Sequence, residues 1–149
     1  MCGCRQNARN LPLRNGPHHR GHSSRRRTDE IVVTLEAVIK RDPNHLGAVH
    51  YYIHAVEASQ APGRATAAAD RLRDQNLTGA GHLVHMPSHI YYRVGRYLDT
   101  LEDNKTAVKV DEKYLADTNA PMGVYRLGYY PHNVHFVMAS AQLAGDGPT

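Results

Sequence analysis

Histidines dominate the chemistry available to this chain, and they recur at helical spacing in three short segments. Seven of the eleven histidines lie in HYYIHAVE (50–57), HLVHMPSH (82–89) and HNVH (132–135). Side chains three, four or seven residues apart share one face of a helix. Each segment therefore predicts a stripe of metal-ligating side chains: His50, His54 and Glu57; His82, His85 and His89; His132 and His135.

A transition-metal ion is the ligand that such stripes predict. Neutral imidazole binds zinc, copper, iron and nickel, and three histidines are enough to hold one ion. Six or seven imidazoles could hold two ions with open coordination positions. A donor set of histidines without thiolate favours zinc or copper, whereas including Glu57 would make iron or manganese more suitable. We expect three further side chains to surround and orient the ligands: Asn104, Asp111 and Tyr92.

The intervals between the stripes indicate an internal repeat. One pair of histidines recurs after 35 residues and another after 50: His50 and His54 correspond to His85 and His89, and His82 and His85 to His132 and His135. A period of about 34 residues is typical of tetratricopeptide repeats. The longer interval is close to one repeat plus the segment 117–130, which contains Pro121 and two glycines and is predicted to be irregular.

Helix signals occupy the chain from Asp29 onward, and no strand pattern of useful length appears, so the predicted fold is all-α with short loops. Thr28 is expected to cap the first helix, and a later helix is expected at 97–117. The last helix should begin near Pro131 and end at Gly145. Pro87 should kink or begin the helix that carries His85 and His89.

The segment VGRYLDTLEDNKTAVKVD (94–111) resembles the second half of a tetratricopeptide repeat, with departures at Thr100 and Asn104 and no final proline. The matching positions are Gly95, Tyr97, Ala107 and Asp111. The segments HYYIHAVE, GHLVHMPSHIYYRVGRY and YYPHNVHF also resemble a bacterial group of larger tetratricopeptide-repeat proteins, over roughly residues 30–146.

This resemblance implies a solenoid of two to three antiparallel helix hairpins. It implies that the first helices of successive repeats lie side by side, about 8–10 Å apart, along a concave ligand-binding face. The histidines would then meet on that face. The longer relatives imply that further repeats of a parent chain, or an oligomer, complete the structure.

Two functions remain open. In the first, one or two histidine-bound ions serve an oxidase or hydrolase by activating dioxygen or water. In the second, the groove is a non-catalytic scaffold that binds a peptide or small molecule, and its histidines form hydrogen bonds or sense pH. The groove positions lack clusters of Lys, Arg or Asn that would clamp a peptide carboxylate, and Arg93 is the nearest cation. This favours the metal site.

Charge and cysteine content separate the N-terminal residues from the rest. The chain carries +4, but residues 1–28 carry +7 from seven arginines without an acid, so the remainder carries −3. We therefore predict a disordered or non-native tail at 1–28, a helical domain at 29–146, a short tail at 147–149, and no specific nucleic-acid binding. The absence of an apolar segment predicts a cytoplasmic protein without a membrane partner. Five tail residues could chelate metal without fixed geometry: Cys2, Cys4, His18, His19 and His22.

Overall fold

The computed structural model describes the backbone of residues 20–146 and the side chains of residues 27–146, and every regular element within this range is helical. The predicted all-α class is confirmed. The α-helices are α1 (Arg20–Arg41), α2 (Leu46–Glu57), α3 (Thr66–Asp74), α4 (Gly81–His85), α5 (Pro87–Arg93), α6 (Tyr97–Thr118) and α7 (Tyr130–Ala144). A 3₁₀ turn (Pro62–Ala65) precedes α3, and a π-helical turn (Tyr125–Tyr129) precedes α7. The predictions for Cys2, Cys4, His18, His19 and the His22 side chain fall outside the described residues.

Local signals set most helix ends. The Nδ1 atom of His45 accepts a hydrogen bond from the Ala48 amide at 3.1 Å and caps α2. Asn119 ends α6 in the left-handed conformation (φ 45°), and Gly145 ends α7 in the same region (φ 70°). Glycine adopts this conformation without a Cβ penalty, so the predicted stop at Gly145 is confirmed.

One sequence prediction about helix boundaries is wrong and another is correct only in part. Thr28 does not cap α1, because the helix already begins at Arg20. Arginine is a good helix former, and the three arginines that precede Thr28 favour continuation of the helix. The segment 117–130 is irregular only at 119–123, because α6 extends to Thr118 and the π-helical turn leads directly into α7.

Pro87 divides one helical path into α4 and α5. Met86, at the junction, keeps helical angles (φ −53°, ψ −40°), although proline disfavours this geometry in the residue before it. Pro87 cannot donate a backbone hydrogen bond, and it occupies the first position of α5, where none is needed. The break leaves His82 and His85 on α4 and His89 on α5.

The core and the helix contacts bring the histidine-bearing elements together. The apolar core lies between α1, α2, α3 and α5, and includes the fully buried Val49, Ile53 and Ile90. Helix α2 contacts α5, α4 contacts α7, and α6 packs against α4, α5 and α7. The three elements that carry the histidine stripes are therefore neighbours. None of the helices in residues 20–146 is both long enough and apolar enough to cross a membrane.

Candidate metal centre

Six of the seven predicted histidines, together with Glu57, form three groups. Within each group, the candidate ligand atoms lie within 4.8 Å of one another. We call His85, His89 and His132 the inner triad, and His50, His54 and His82 the outer triad. The third group joins the two triads and consists of His54, Glu57 and His89. Helices α2, α4, α5 and α7 all contribute, so ligands more than 80 positions apart in the sequence share one site.

The inner triad is built around His85, which is fully buried. Its Nε2 atom lies 2.9 Å from Nε2 of His89 and 3.0 Å from Nε2 of His132. Nitrogens bound to one tetrahedral zinc ion at 2.0–2.1 Å stand roughly 3.3 Å apart, so the three nitrogens converge as metal ligands do.

Asn104 sets the orientation and the tautomer of His85. The Asn104 amide nitrogen donates to Ser88 Oγ at 2.8 Å and to the Thr100 carbonyl at 2.7 Å. Its oxygen therefore faces Nδ1 of His85, at 2.7 Å, and must accept a hydrogen bond from that nitrogen. With the proton on Nδ1, Nε2 of His85 presents a lone pair to the site.

Glu57 sets the orientation and the tautomer of His89, and it also contacts His54 of the outer triad. Its Oε2 atom lies 3.0 Å from Nδ1 of His89 and 3.3 Å from Nδ1 of His54. Burial alone would raise the pKa of Glu57, but hydrogen bonds from His54 and His89 lower it to about 2, so the carboxylate is ionised. An ionised carboxylate only accepts, so Nδ1 of both histidines carries the proton and both Nε2 atoms are free for metal.

The outer triad is more open and less firmly held. Nε2 of His82 lies 3.2 Å from Nε2 of His50, and the His54 side chain is 41% exposed. Nδ1 of His82 is buried without a hydrogen-bond partner. Apart from the longer contact between His54 and Glu57, no protein group anchors these rings by a hydrogen bond among the described residues.

Aromatic rings pack on both triads, and two of the supporting residues were not foreseen from the sequence. The Phe136 ring lies 4.7, 5.2 and 4.9 Å, centroid to centroid, from the rings of His85, His89 and His132. Its position four residues after His132 is the signal that could have identified it. Ser88, which fixes the Asn104 amide, gives no such signal.

Three predicted site residues lie elsewhere. His135 is exposed and belongs to none of the three groups. Asp111 is buried, but it accepts hydrogen bonds from Tyr125 Oη at 2.6 Å and Asn133 Nδ2 at 2.7 Å instead of orienting an imidazole. The Tyr92 ring is 6.0 Å from the Phe136 ring, and within the described part of the chain its ring contacts connect it to the inner triad through Phe136.

Burial keeps several of these imidazoles uncharged. Burial, followed by the neighbouring histidines, lowers the pKa of His82 to about 4 and holds the pKa of His85 well below 6.5. The pKa values of His50 and His132 are also lowered, chiefly by burial. Neutral imidazole is the form that binds metal, so the site is prepared for a cation near neutral pH.

We expect the metal-free protein to lose stability as the pH falls from 6.5 towards 4. In this window the histidines of the unfolded chain take up protons, while His82 and His85 remain neutral in the fold, so acid favours unfolding. Urea unfolding of chelator-treated protein at several pH values measures the effect. A His82→Gln variant should show a shallower dependence.

Asp103 has the opposite effect on the pH dependence of stability. Burial raises the pKa of Asp103 to about 7, so the folded state binds this proton more readily and gains stability as the pH falls below 7. The experiment is therefore repeated in an Asp103→Asn variant. Without the opposing effect of Asp103, the free energy of unfolding should fall more steeply as the pH falls. A stability that does not change between pH 6.5 and 4.5 in that variant would contradict the prediction.

Comparison of the chain with protein-family models, with curated proteins and with solved structures found no match. The tetratricopeptide-repeat resemblance thus remains a prediction from the sequence. The arrangement of the imidazoles and of Glu57 supports the functional proposal.

Proposed function

We propose that this chain is a metal-binding helical-repeat protein, with one transition-metal ion in the inner triad and a second in the outer triad. The observation that carries the proposal is the 2.9 Å separation between Nε2 of His85 and Nε2 of His89. In both rings the Nδ1 proton is already donated, by His85 to Asn104 and by His89 to Glu57.

Two neutral imidazoles in this arrangement point lone pairs at each other. Neither can donate to the other, and buried polar atoms without a partner cost free energy. The Nε2 atom of His132 brings a third nitrogen to the same point. A proton or a metal ion would satisfy the nitrogens, but burial holds the pKa of His85 well below 6.5. A metal ion, bound by all three nitrogens, is the better partner.

The two triads are close enough for a dinuclear centre. The ring centroids of His54 and His89 are 5.0 Å apart, and those of His82 and His85 are 6.1 Å apart. Glu57 contacts both triads, as a carboxylate near two ions would. Histidine donors favour zinc or copper, and Glu57 extends the choice to iron. Such a centre suits an oxidase or a hydrolase.

We propose that the fold is tetratricopeptide-like, with α2, α4–α5 and α7 as the first helices of successive repeats. The contacts of α2 with α5 and of α4 with α7 support this, as does the clustering of histidines from all three elements. The peptide-binding alternative is less favoured. The Arg93 guanidinium donates to the carbonyls of Glu57 and Ser59 and closes the end of α2, so it is committed within the fold.

Elemental analysis of untagged full chain tests the proposal, paired with thermal melting with and without chelator. We expect two ions per chain and a lower melting temperature after metal removal, because ions that bind only the folded state stabilise it. The same measurement in a Cys2→Ser, Cys4→Ser background excludes tail thiols as ligands. Metal-free protein with unchanged melting would contradict the proposal and favour the peptide-binding scaffold.

A further inference from the structure

The two triads differ in ways that predict different roles for their ions. Resting on the proposed metal binding, we propose that the inner ion is tightly held and closed to solvent, whereas the outer ion is exchangeable and takes a small anion at a free coordination position. The difference arises from burial, anchoring and access to solvent, and the charge of the outer ion determines which ligand its open position takes.

Burial and anchoring favour the inner triad. His85 is fully buried and His89 is 9% exposed, and each donates its Nδ1 proton to a fixed acceptor. Little ordering is then needed when an ion binds. Loss of such an outer hydrogen bond to a ligating histidine typically weakens metal binding 10–100-fold. His50 and His82 lack comparable anchors, so we expect the outer triad to bind its ion more weakly by about that factor.

Access to solvent also separates the triads, because each triad offers three histidines to its ion. The Phe136 ring packs against all three inner imidazoles, and Glu57 accepts from Nδ1 of His89, which points away from Nε2. The outer triad includes the exposed His54. Closed coordination is typical of structural zinc sites, whereas three protein ligands with an open position are typical of reactive ones.

Charge determines what the open position takes. Glu57 accepts from one histidine of each triad, at 3.0 Å from Nδ1 of His89 and 3.3 Å from Nδ1 of His54, so both ions share its single negative charge. The outer ion is otherwise held by three neutral imidazoles. A divalent ion there therefore keeps part of its positive charge. Its free position therefore favours a small anion over a neutral or cationic ligand.

Titration with Co²⁺ and azide tests the inference on full-length Cys2→Ser, Cys4→Ser protein. Visible absorption reports the coordination of cobalt. We expect the first Co²⁺ equivalent to bind 10–100-fold more tightly than the second. Azide should leave the spectrum of the one-cobalt protein unchanged and should alter that of the two-cobalt protein, with saturation at one azide per chain.

Two matched variants assign these events to the triads. His50→Ala should keep the tight cobalt and lose both the weak cobalt and the response to azide. His132→Gln should lose the tight binding and keep an azide-sensitive cobalt. Circular dichroism melting establishes that each variant folds, and the titration of the parent chain is informative without them.

The outcomes separate the two proposals. If no stoichiometric cobalt binds, the proposed function fails and this inference fails with it. If two cobalt ions bind with equal affinity, or if azide alters the one-cobalt spectrum, only the inference of two unlike sites is overturned. An azide response that persists unchanged in His50→Ala would also overturn it.

Discussion

Replacing His85 by alanine is expected to remove one of the two proposed metal ions and to weaken binding at the inner triad at least ~100-fold, because even the loss of a hydrogen-bond partner of a ligating histidine costs 10–100-fold. His85 is the only imidazole of the inner triad whose Nε2 lies within 3.0 Å of Nε2 in both others, among the contacts of the described residues. Competition titration against a chromophoric chelator measures the affinity, and elemental analysis measures the stoichiometry.

The control for this substitution is His135→Ala. His135 is also a histidine of the predicted stripes, but it is exposed and outside the three groups, so this variant should keep both ions at unchanged affinity. Because His85 is buried, its loss will also destabilise the fold. His132→Gln, at a half-buried position, should weaken the same inner site with a smaller effect on stability. Unchanged affinity in both His85→Ala and His132→Gln would count against the inner site.

Gly81→Ala is expected to lower the free energy of unfolding by about 3 kcal/mol, through overpacking and a disturbed buried hydrogen-bond network. A Cβ atom at this position would overlap Oδ1 of Asp111 and stand 2.6 Å from its Cγ and 2.9 Å from the Ala107 carbonyl oxygen. The collision includes backbone, so α4 has to move away from α6. The melting temperature should fall by roughly 10 °C.

Gly79→Ala is the matched control for this prediction. A Cβ atom at Gly79 meets no atom within 4 Å, so this variant should melt within a few degrees of the parent chain. Because α4 carries His82 and His85, Gly81→Ala should also weaken metal binding, whereas Gly79→Ala should not. Equal melting temperatures for the two variants would show that α4 does not approach α6 as closely as described.

The sequence predicted which histidines lie together better than it predicted the side chains that hold them in place. Histidines at helical spacing identify stripes of imidazoles, because the period of a helix is a local property. Six of the seven predicted histidines do meet in the structure. His135 does not, because a three-residue spacing places two side chains near one face without deciding which of them the neighbouring helices will contact.

The supporting contacts depend on packing between helices that are distant in sequence. Asp111 was expected to orient an imidazole, but the approach of α7 to α6 gives it Tyr125 and Asn133 as partners. Likewise, Ser88 becomes important only because α5 lies against α6 at Asn104. Helix ends set by local chemistry, such as Gly145, were predictable. The start of α1 was not, because the capping preference of Thr28 was outweighed by the helical tendency of the three arginines directly before it.

The π-helical turn before α7 has a consequence for the evolution of the site. Such a turn holds one residue more than an α-helical turn, and each residue of an α-helix advances the side chains by about 100°. The extra residue lets one continuous helical path aim Tyr125 at Asp111, Tyr129 at His82 and His132 at His85. Deleting a single residue between 125 and 129 would rotate Tyr125 out of phase with Tyr129 and His132, so natural variants that keep these contacts should also keep the length of this turn.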